Sequence, residues 1–361
     1  MASEGTIDTE AENLQILLNL LHEDARRLRV EYPFYDLELL SYDPRRGRLR
    51  SFVTPDALAD ARNEHRPSDP DLADELPSWQ DVQNACLCSG IVDYDNHEEA
   101  RQAFEEAWEA ARRPHGMPTY IAFDTNVFYN RVATRRIEGD FLGENAHRVP
   151  FIVSEAVREE LDRQANEKYS SDEVDQLRRT LDVEDLVGAL TNRRDKQARI
   201  ATDALGEVNY LTHRLRAAET TAAKLPGGEE NDRVIAQSYR DYGQEHYGRI
   251  VLITADSGMQ TNASTKGLET IFLETPSMDQ PPSGELDERA LCNLVHDLAV
   301  RFQFLRFPRT GITVWGDWSG KTPQDWMDDV VRIEHTGSKV AGKLAEGLEA
   351  VKGVKAGLEN R

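Results

Sequence analysis

RIVLITADSGMQTNASTKGLETIFLE, residues 249–274, places two apolar runs, RIVLIT (249–254) and ETIFLE (269–274), on either side of a short polar stretch that reads as a helix closed by a Gly-Leu turn. Short apolar runs without alternation are the pattern of strands covered on both faces. Working outward, the same grammar recurs. TYIAF (119–123) is a buried strand, and RVPFIV (148–153) is another that feeds a helix over 154–168. A long helical stretch follows, with Val174, Leu177 and Leu181 and then Ile200, Leu205, Val208, Leu211 and Leu215, until PGG (226–228) breaks it. NDRVIAQSYRDYG (231–243) is helical again. Strands that alternate with helices predict an α/β domain over 118–276, a central parallel sheet flanked by helices on both faces.

The flanks read differently. Residues 1–117 form an accessory region, mostly helical: Leu14, Leu17, Leu18, Leu21 and Leu28 give helical spacing over 10–30, and HEEARQAFEEAWEAARR (97–113) is a helix ended by Pro114 and Gly116. DLELLSYDPRRGRLRSFVTP (36–55) reads as a hairpin around a Pro/Gly turn. The polar stretch 61–80, with Pro67, Pro70 and Pro77, reads as a linker. Residues 277–361 form a C-terminal extension: a helix over 285–307, a strand at GITVW (311–315), and a polar helix or frayed tail over 338–361.

Of the 361 residues, 65 are acidic and 43 basic, a net charge of −22, and 34 of the basic residues are Arg against 9 Lys. The acids are spread through every segment. This pattern resembles the proteins of salt-loving archaea, where the Debye length of about 3 Å at molar salt hides global charge and leaves only contact pairs. Net charge therefore does not exclude a polyanionic substrate. No apolar run approaches the roughly 18 residues of a membrane span. Three cysteines (Cys86, Cys88, Cys292) build no disulfide framework and suit a reducing cytoplasm. The composition excludes a membrane protein, a small secreted domain, a collagen-like chain and a basic histone-like binder.

In an open α/β sheet, function gathers where strands end and helices begin. Asp124 follows the first strand, in FDTN, and Asp256 follows the third, in TADSG. Glu160 lies in the first crossover helix and Asp232 in the helix after PGG. Val157, Leu161 and Ala165 define the buried stripe of the crossover helix, and Glu160 falls on its flank, whereas Glu155, Glu159 and Asp162 point away. Each acid alone also reads as a helix cap or a solvated helix acid. Four together repel one another and call for divalent cations, and an oxygen-only donor set suits Mg²⁺ or Mn²⁺ rather than zinc. The nine histidines show no zinc spacing. Acids holding Mg²⁺ serve phosphodiester hydrolysis.

FDTNVFYNR, VREELDR, NDRVIAQ and VLITADSGMQTNASTKGLETIFLE resemble the successive blocks of the PIN-domain nucleases, over about 118–276. The resemblance implies a PIN-like three-layer sandwich and a metal-dependent endoribonuclease acting on single-stranded or structured RNA. It makes Asp124, Glu160, Asp232 and Asp256 the metal-binding acids, Asn126 a residue steadying the first acid, Thr254 an orienting group, and Glu229 or Glu230 a source of one more acid. It also implies a homodimer. The 72 residues between Glu160 and Asp232 are long for compact members of the family. A non-catalytic RNA- or protein-binding scaffold, a structure-specific DNA nuclease and a toxin of a toxin–antitoxin pair are the competing readings.

Other motifs are weaker. RRGRLR (45–50), with Arg45, Arg46 and Arg48, and TNRRDKQAR (191–199), with Arg193 and Arg194, read either as phosphate contacts or as salt-bridged surface. In WGDWSGKTPQDW (315–326), GKT lacks the spacing of a phosphate loop, and Trp315, Trp318 and Trp326 beside Lys321 either stack bases or close a small core. Cys86 and Cys88 are too close for a redox pair and read as buried thiols.

Overall fold

The computed structural model describes residues 4–24, 27–67, 69–113, 116–180, 194–225, 231–336 and 339–359. The chain divides into two compact units, one of residues 1–91, 168–199 and 278–361, the other of residues 92–167 and 200–277. This differs from three consecutive pieces (1–117, 118–276, 277–361). Residues 92–117 go with the α/β unit because backbone pairing ties them to it: Asp95 N–H donates to the Glu274 carbonyl at 2.9 Å, and Asn96 bonds Phe272 O and Glu274 N. Residues 168–199, expected as an insertion of the central domain, fold with the two ends of the chain.

In the α/β unit, helix α1 (His97–Ala111) buries Ala100, Phe104, Ala107 and Trp108, one stripe at helical spacing. Strands β1 (Thr119–Phe123) and β2 (Phe151–Ser154) are joined through α2 (Thr125–Tyr129) and an irregular helical segment, Val132–Leu142. Helix α3 (Glu155–Ala165) starts at Ser154, whose hydroxyl accepts from Ala156 N–H at 3.2 Å. Helix α4 (Lys196–His213) leads to β3 (Ala218–Thr220), α5 (Asn231–Glu245) to β4 (Arg249–Thr254), and α6 (Ser257–Thr265) to β5 (Glu269–Phe272). The five strands are parallel in the order β3-β2-β1-β4-β5. The expected α/β class with a parallel sheet flanked by helices is therefore present.

Strand β3 was not foreseen. Its three residues are too few and too polar to stand out from the helical stretch, and Arg216, at φ 58°, supplies the left-handed turn between α4 and the strand. Pro114, Leu181, Arg193, PGG (226–228), Glu229 and Glu230 lie outside the described residues.

The second unit is built on an eight-stranded antiparallel sheet, in the spatial order 4–10, 330–336, 312–315, 304–307, 28–32, 37–43, 48–52, 284–285. The hairpin over 36–55 is its strands Leu37–Asp43 and Arg48–Phe52, and GITVW supplies strand Ile312–Trp315. The helix expected over 10–30 covers Leu14–Asp24 and gives way to strand Leu28–Tyr32. The stretch expected as a linker contains helices Pro70–Glu75 and Trp79–Ser89. Its prolines and acids start helices: Pro70 opens one, and Ser78 with Asp81 forms a capping box on the other. The C-terminal segment includes helix Lys339–Glu359. Among the described residues no helix is long and apolar enough to cross a membrane.

The Trp-rich motif closes a local core. Trp315, Trp318 and Trp326 are buried, and Lys321 Nζ lies 3.7 Å from the Trp326 ring centroid while donating to Gly316 O at 2.6 Å. Thr322 caps helix Pro323–Met327. Lys321 is thereby satisfied by its own loop. The second basic cluster is also internally paired: Arg194 bonds Asp317 at 3.4 Å, Lys196 bonds Asp81 at 3.2 Å, and Arg199 is buried against the carbonyls of Val300 and Arg301. Cys86, Cys88 and Cys292 are buried and outside any disulfide.

Candidate active site at the sheet switch point

The strand order reverses direction between β1 and β4, the crevice where open α/β sheets bind ligands. Asp124 follows β1 and caps α2; Asp256 follows β4 and caps α6. In register, Phe123 pairs with Ile253, so Asp124 and Thr254 leave adjacent strands side by side.

Asp124 is buried and held by three donors. Its Oδ1 accepts from Thr125 N–H at 2.7 Å; its Oδ2 accepts from Asn126 Nδ2 at 2.7 Å and from Thr254 Oγ1 at 2.8 Å. Asn126 is itself fixed, since its Oδ1 accepts from Ala255 N–H at 3.1 Å. Three of the carboxylate's four lone-pair sites are thus used, and one on Oδ1 remains. Burial pushes the Asp124 carboxyl up to about 7, the hydrogen bonds from Thr254 and Thr125 pull it down, and the charges of Asp232 and Asp256 push it up again. Asp232 and Asp256 are thus both near enough to raise the Asp124 carboxyl.

Asp256 Oδ1 accepts from Gly258 N–H at 2.5 Å and Met259 N–H at 3.1 Å, the geometry of a helix cap. The cap leaves Oδ2 open on an exposed side chain. Asp232, in the first turn of α5, faces the same spot: a Cβ built on Gly258 would stand 3.0 Å from Asp256 Oδ1 and 4.0 Å from Asp232 Oδ2. Glu160, half-buried on α3, accepts at Oε2 from Thr125 Oγ1 at 2.6 Å and from Asn231 Nδ2 at 2.5 Å. Thr125 follows Asp124 and Asn231 precedes Asp232, so Glu160 is bonded to the sequence neighbours of two of the other acids. The buried stripe of α3, Val157 and Leu161, carries Glu160 on its flank.

Asp124, Glu160, Asp232 and Asp256 are therefore grouped at one edge of the sheet, each with a distinct support. The grouping is not closed: among the described residues, no three of the four bring oxygen atoms all within 4.8 Å of one another. Arg45, Arg46, Arg48 and Arg194 belong to the other unit.

Four supporting residues were missed in the sequence. Thr125 and Asn231 hold Glu160, Gly258 admits Asp232 beside Asp256, and Tyr239 Oη donates to Phe123 O at 2.5 Å while accepting from Ser154 N–H at 3.0 Å. For Thr125 and Asn231 the available signal was adjacency to an acid.

Residues 121–274 match the sequence model of the PIN domain family, a match that spans somewhat under half of the chain. PIN domains are in general metal-dependent nucleases. A comparison with curated proteins found no match.

Proposed function

We propose that the chain is an endoribonuclease that hydrolyses RNA phosphodiester bonds with Mg²⁺ or Mn²⁺ held by Asp124, Glu160, Asp232 and Asp256. The observation that carries this reading is the state of Asp124: a carboxyl buried deeply enough to reach about 7, held by three donors, and acted on by two further carboxylates. Such a group is costly to ionise without a cation and well placed to receive one.

The donor set fits a hard cation. It is all oxygen, and Asp124, Glu160 and Asp256 each keep a lone pair or a whole oxygen beyond their hydrogen bonds within the chain. A divalent ion bound there supplies Lewis acidity toward the phosphate and lowers the pKa of water. The chain does the positioning. Thr254 and Asn126 direct the Asp124 carboxylate, Thr125 and Asn231 direct Glu160, and the α6 amides hold Asp256. Glu230 remains proposed as one further acid.

The test is a titration of the full-length protein with MnCl₂ by calorimetry, paired with cleavage of labelled single-stranded RNA and flap DNA. Divalent binding with metal-dependent RNA cleavage, both lost in Asp124→Asn, supports the reading. No divalent binding makes the domain a scaffold, and cleavage of flap DNA alone makes it a DNA nuclease.

A further inference from the structure

Several exposed arginines are neutralised by acids on their own element or the neighbouring strand. Exposed Arg101 lies 2.7 Å from Glu98 and 2.6 Å from Glu105, Arg178 lies 3.2 Å from Asp175, and Arg249 pairs with Glu269. At the tip of the hairpin Leu37–Asp43/Arg48–Phe52 the arginines stand differently from these. Pro44 and Gly47, the latter at φ 57°, build a tight turn, with Arg46 N–H donating to Asp43 O at 3.1 Å. The turn projects Arg45 and Arg46 into solvent. Among the described residues no carboxylate lies within 4.0 Å of Arg45, and the one that reaches Arg46 is Asp43, at 4.0 Å.

Two further arginines converge on the same place. An open hollow in the surface is lined by Arg27, Asp43, Arg45, Arg46 and Arg50. Asp43 is engaged by Arg50, whose Nε donates to it at 3.1 Å. Arg27 Nη2 is anchored by Glu38 at 2.8 Å and Ser51 at 2.9 Å. The hollow thus presents four guanidinium groups, of which Arg27 is paired with Glu38 and Arg50 with Asp43, leaving Arg45 and Arg46 as the surplus positive charge. Arg48 is set apart, because the sheet register places it opposite both Asp43 and Glu285.

We propose that this hollow is a phosphate-binding site for the backbone of a single-stranded RNA, separate from the carboxylate group of the PIN domain. Guanidinium forks match the oxygens of a phosphate in a bidentate way, and Arg27 and Arg50 are already oriented by their anchors. Arg45 and Arg46 supply the surplus charge that releases counterions when a polyanion docks. The choice of RNA rests on the function proposed above; the affinity for phosphate does not.

The test uses the full-length protein in EDTA, so that binding is measured without cleavage. The probe is a fluorescein-labelled 20-nucleotide oligouridylate, followed by anisotropy between 0.1 and 1 M KCl. Arg45→Ala/Arg46→Ala is expected to raise Kd at 0.1 M KCl about tenfold or more and to lower the slope of log K against log salt by about 2, one for each phosphate no longer neutralised. Both residues are exposed, so an unchanged melting curve confirms the fold. Wild-type affinity and slope in the double variant overturn the proposal, as does equal competition by poly-glutamate of matched charge. A protein that binds RNA through these arginines and never cleaves it keeps the docking site and loses the nuclease; one that cleaves with both arginines removed and binds unchanged does the reverse.

Discussion

Thr254 Oγ1 donates to Asp124 Oδ2 at 2.8 Å and accepts from Asp256 N–H at 3.0 Å, so one hydroxyl joins the two acids that flank the switch point. The link follows from register: Thr254 is the last residue of β4, and Asp124 is the first past the adjacent β1. Removing the hydroxyl leaves Asp124 buried with one donor fewer, which pushes its carboxyl further up and weakens it as a cation ligand. Thr254→Val is expected to lower Mn²⁺ affinity about tenfold by calorimetry, and Thr254→Ser to retain it. Equal affinity in all three proteins overturns the role given to this hydroxyl.

The raised carboxyls set a pH dependence. A group whose folded pKa lies above its unfolded value contributes stability that is complete below the unfolded pKa, near 4, and is lost as pH rises through the folded one. Asp124 and Glu207 both stand at about 7, Glu207 chiefly through burial, with Arg131 partly countering it. Metal-free protein is therefore expected to lose on the order of a few kcal/mol from these two groups between about pH 5 and pH 8. Denaturant titrations across that range check it. Asp124→Asn and Glu207→Gln should each flatten the slope. Added Mn²⁺ should stabilise the wild type more at about pH 8 than at about pH 5.5, and should restore nothing in Asp124→Asn. A slope unchanged by either substitution refutes the assignment.

Gly258 offers a separation of stability from binding. It sits in the first turn of α6, where alanine is the better helix former by up to about 1 kcal/mol. Its added methyl would stand 3.0 Å from Asp256 Oδ1 and 4.0 Å from Asp232 Oδ2, so the Asp256 carboxylate must shift by a few tenths of an ångström. Gly258→Ala is expected to melt at the same temperature or higher while binding Mn²⁺ several-fold more weakly. A variant that binds as tightly as the wild type shows that Asp232 and Asp256 do not act on the ion from this spot.

How far the sequence disclosed this depended on how local each signal was. β1, β2, β4 and β5 are apolar runs, and each stands out alone. Asp124 and Asp256 sit at the ends of two such runs, so finding the strands locates them. Strand Glu4–Glu10 was invisible because its partner lies more than three hundred residues away, at Val330–Thr336, and its own residues are mostly polar. The membership of 92–117 and 168–199 rests on tertiary pairing that no local pattern encodes. The same holds for the hydrogen bond from Asn231 to Glu160, which spans 71 residues.

Tyr239 shows what the long-range part contributes to the frame. It is fully buried on α5, and its Oη donates to Phe123 O at 2.5 Å and accepts from Ser154 N–H at 3.0 Å. Phe123 is the last residue of β1 and Ser154 the last of β2, so one phenol ties together the two strand ends that lead into Asp124 and into the Glu160 helix. Burial holds the hydroxyl protonated, far above the range in which it would titrate. Tyr239→Phe keeps the ring and strands a carbonyl and an amide away from water, at about 1–3 kcal/mol for an unmade pair. The expected result is a loss of that size in chemical denaturation, with RNA cleavage reduced in the surviving folded protein because the two acids lose their common tie. Tyr239→Leu, which also opens a cavity, should cost more. A Tyr239→Phe protein as stable as the wild type would show that the strand ends are held by the sheet register alone.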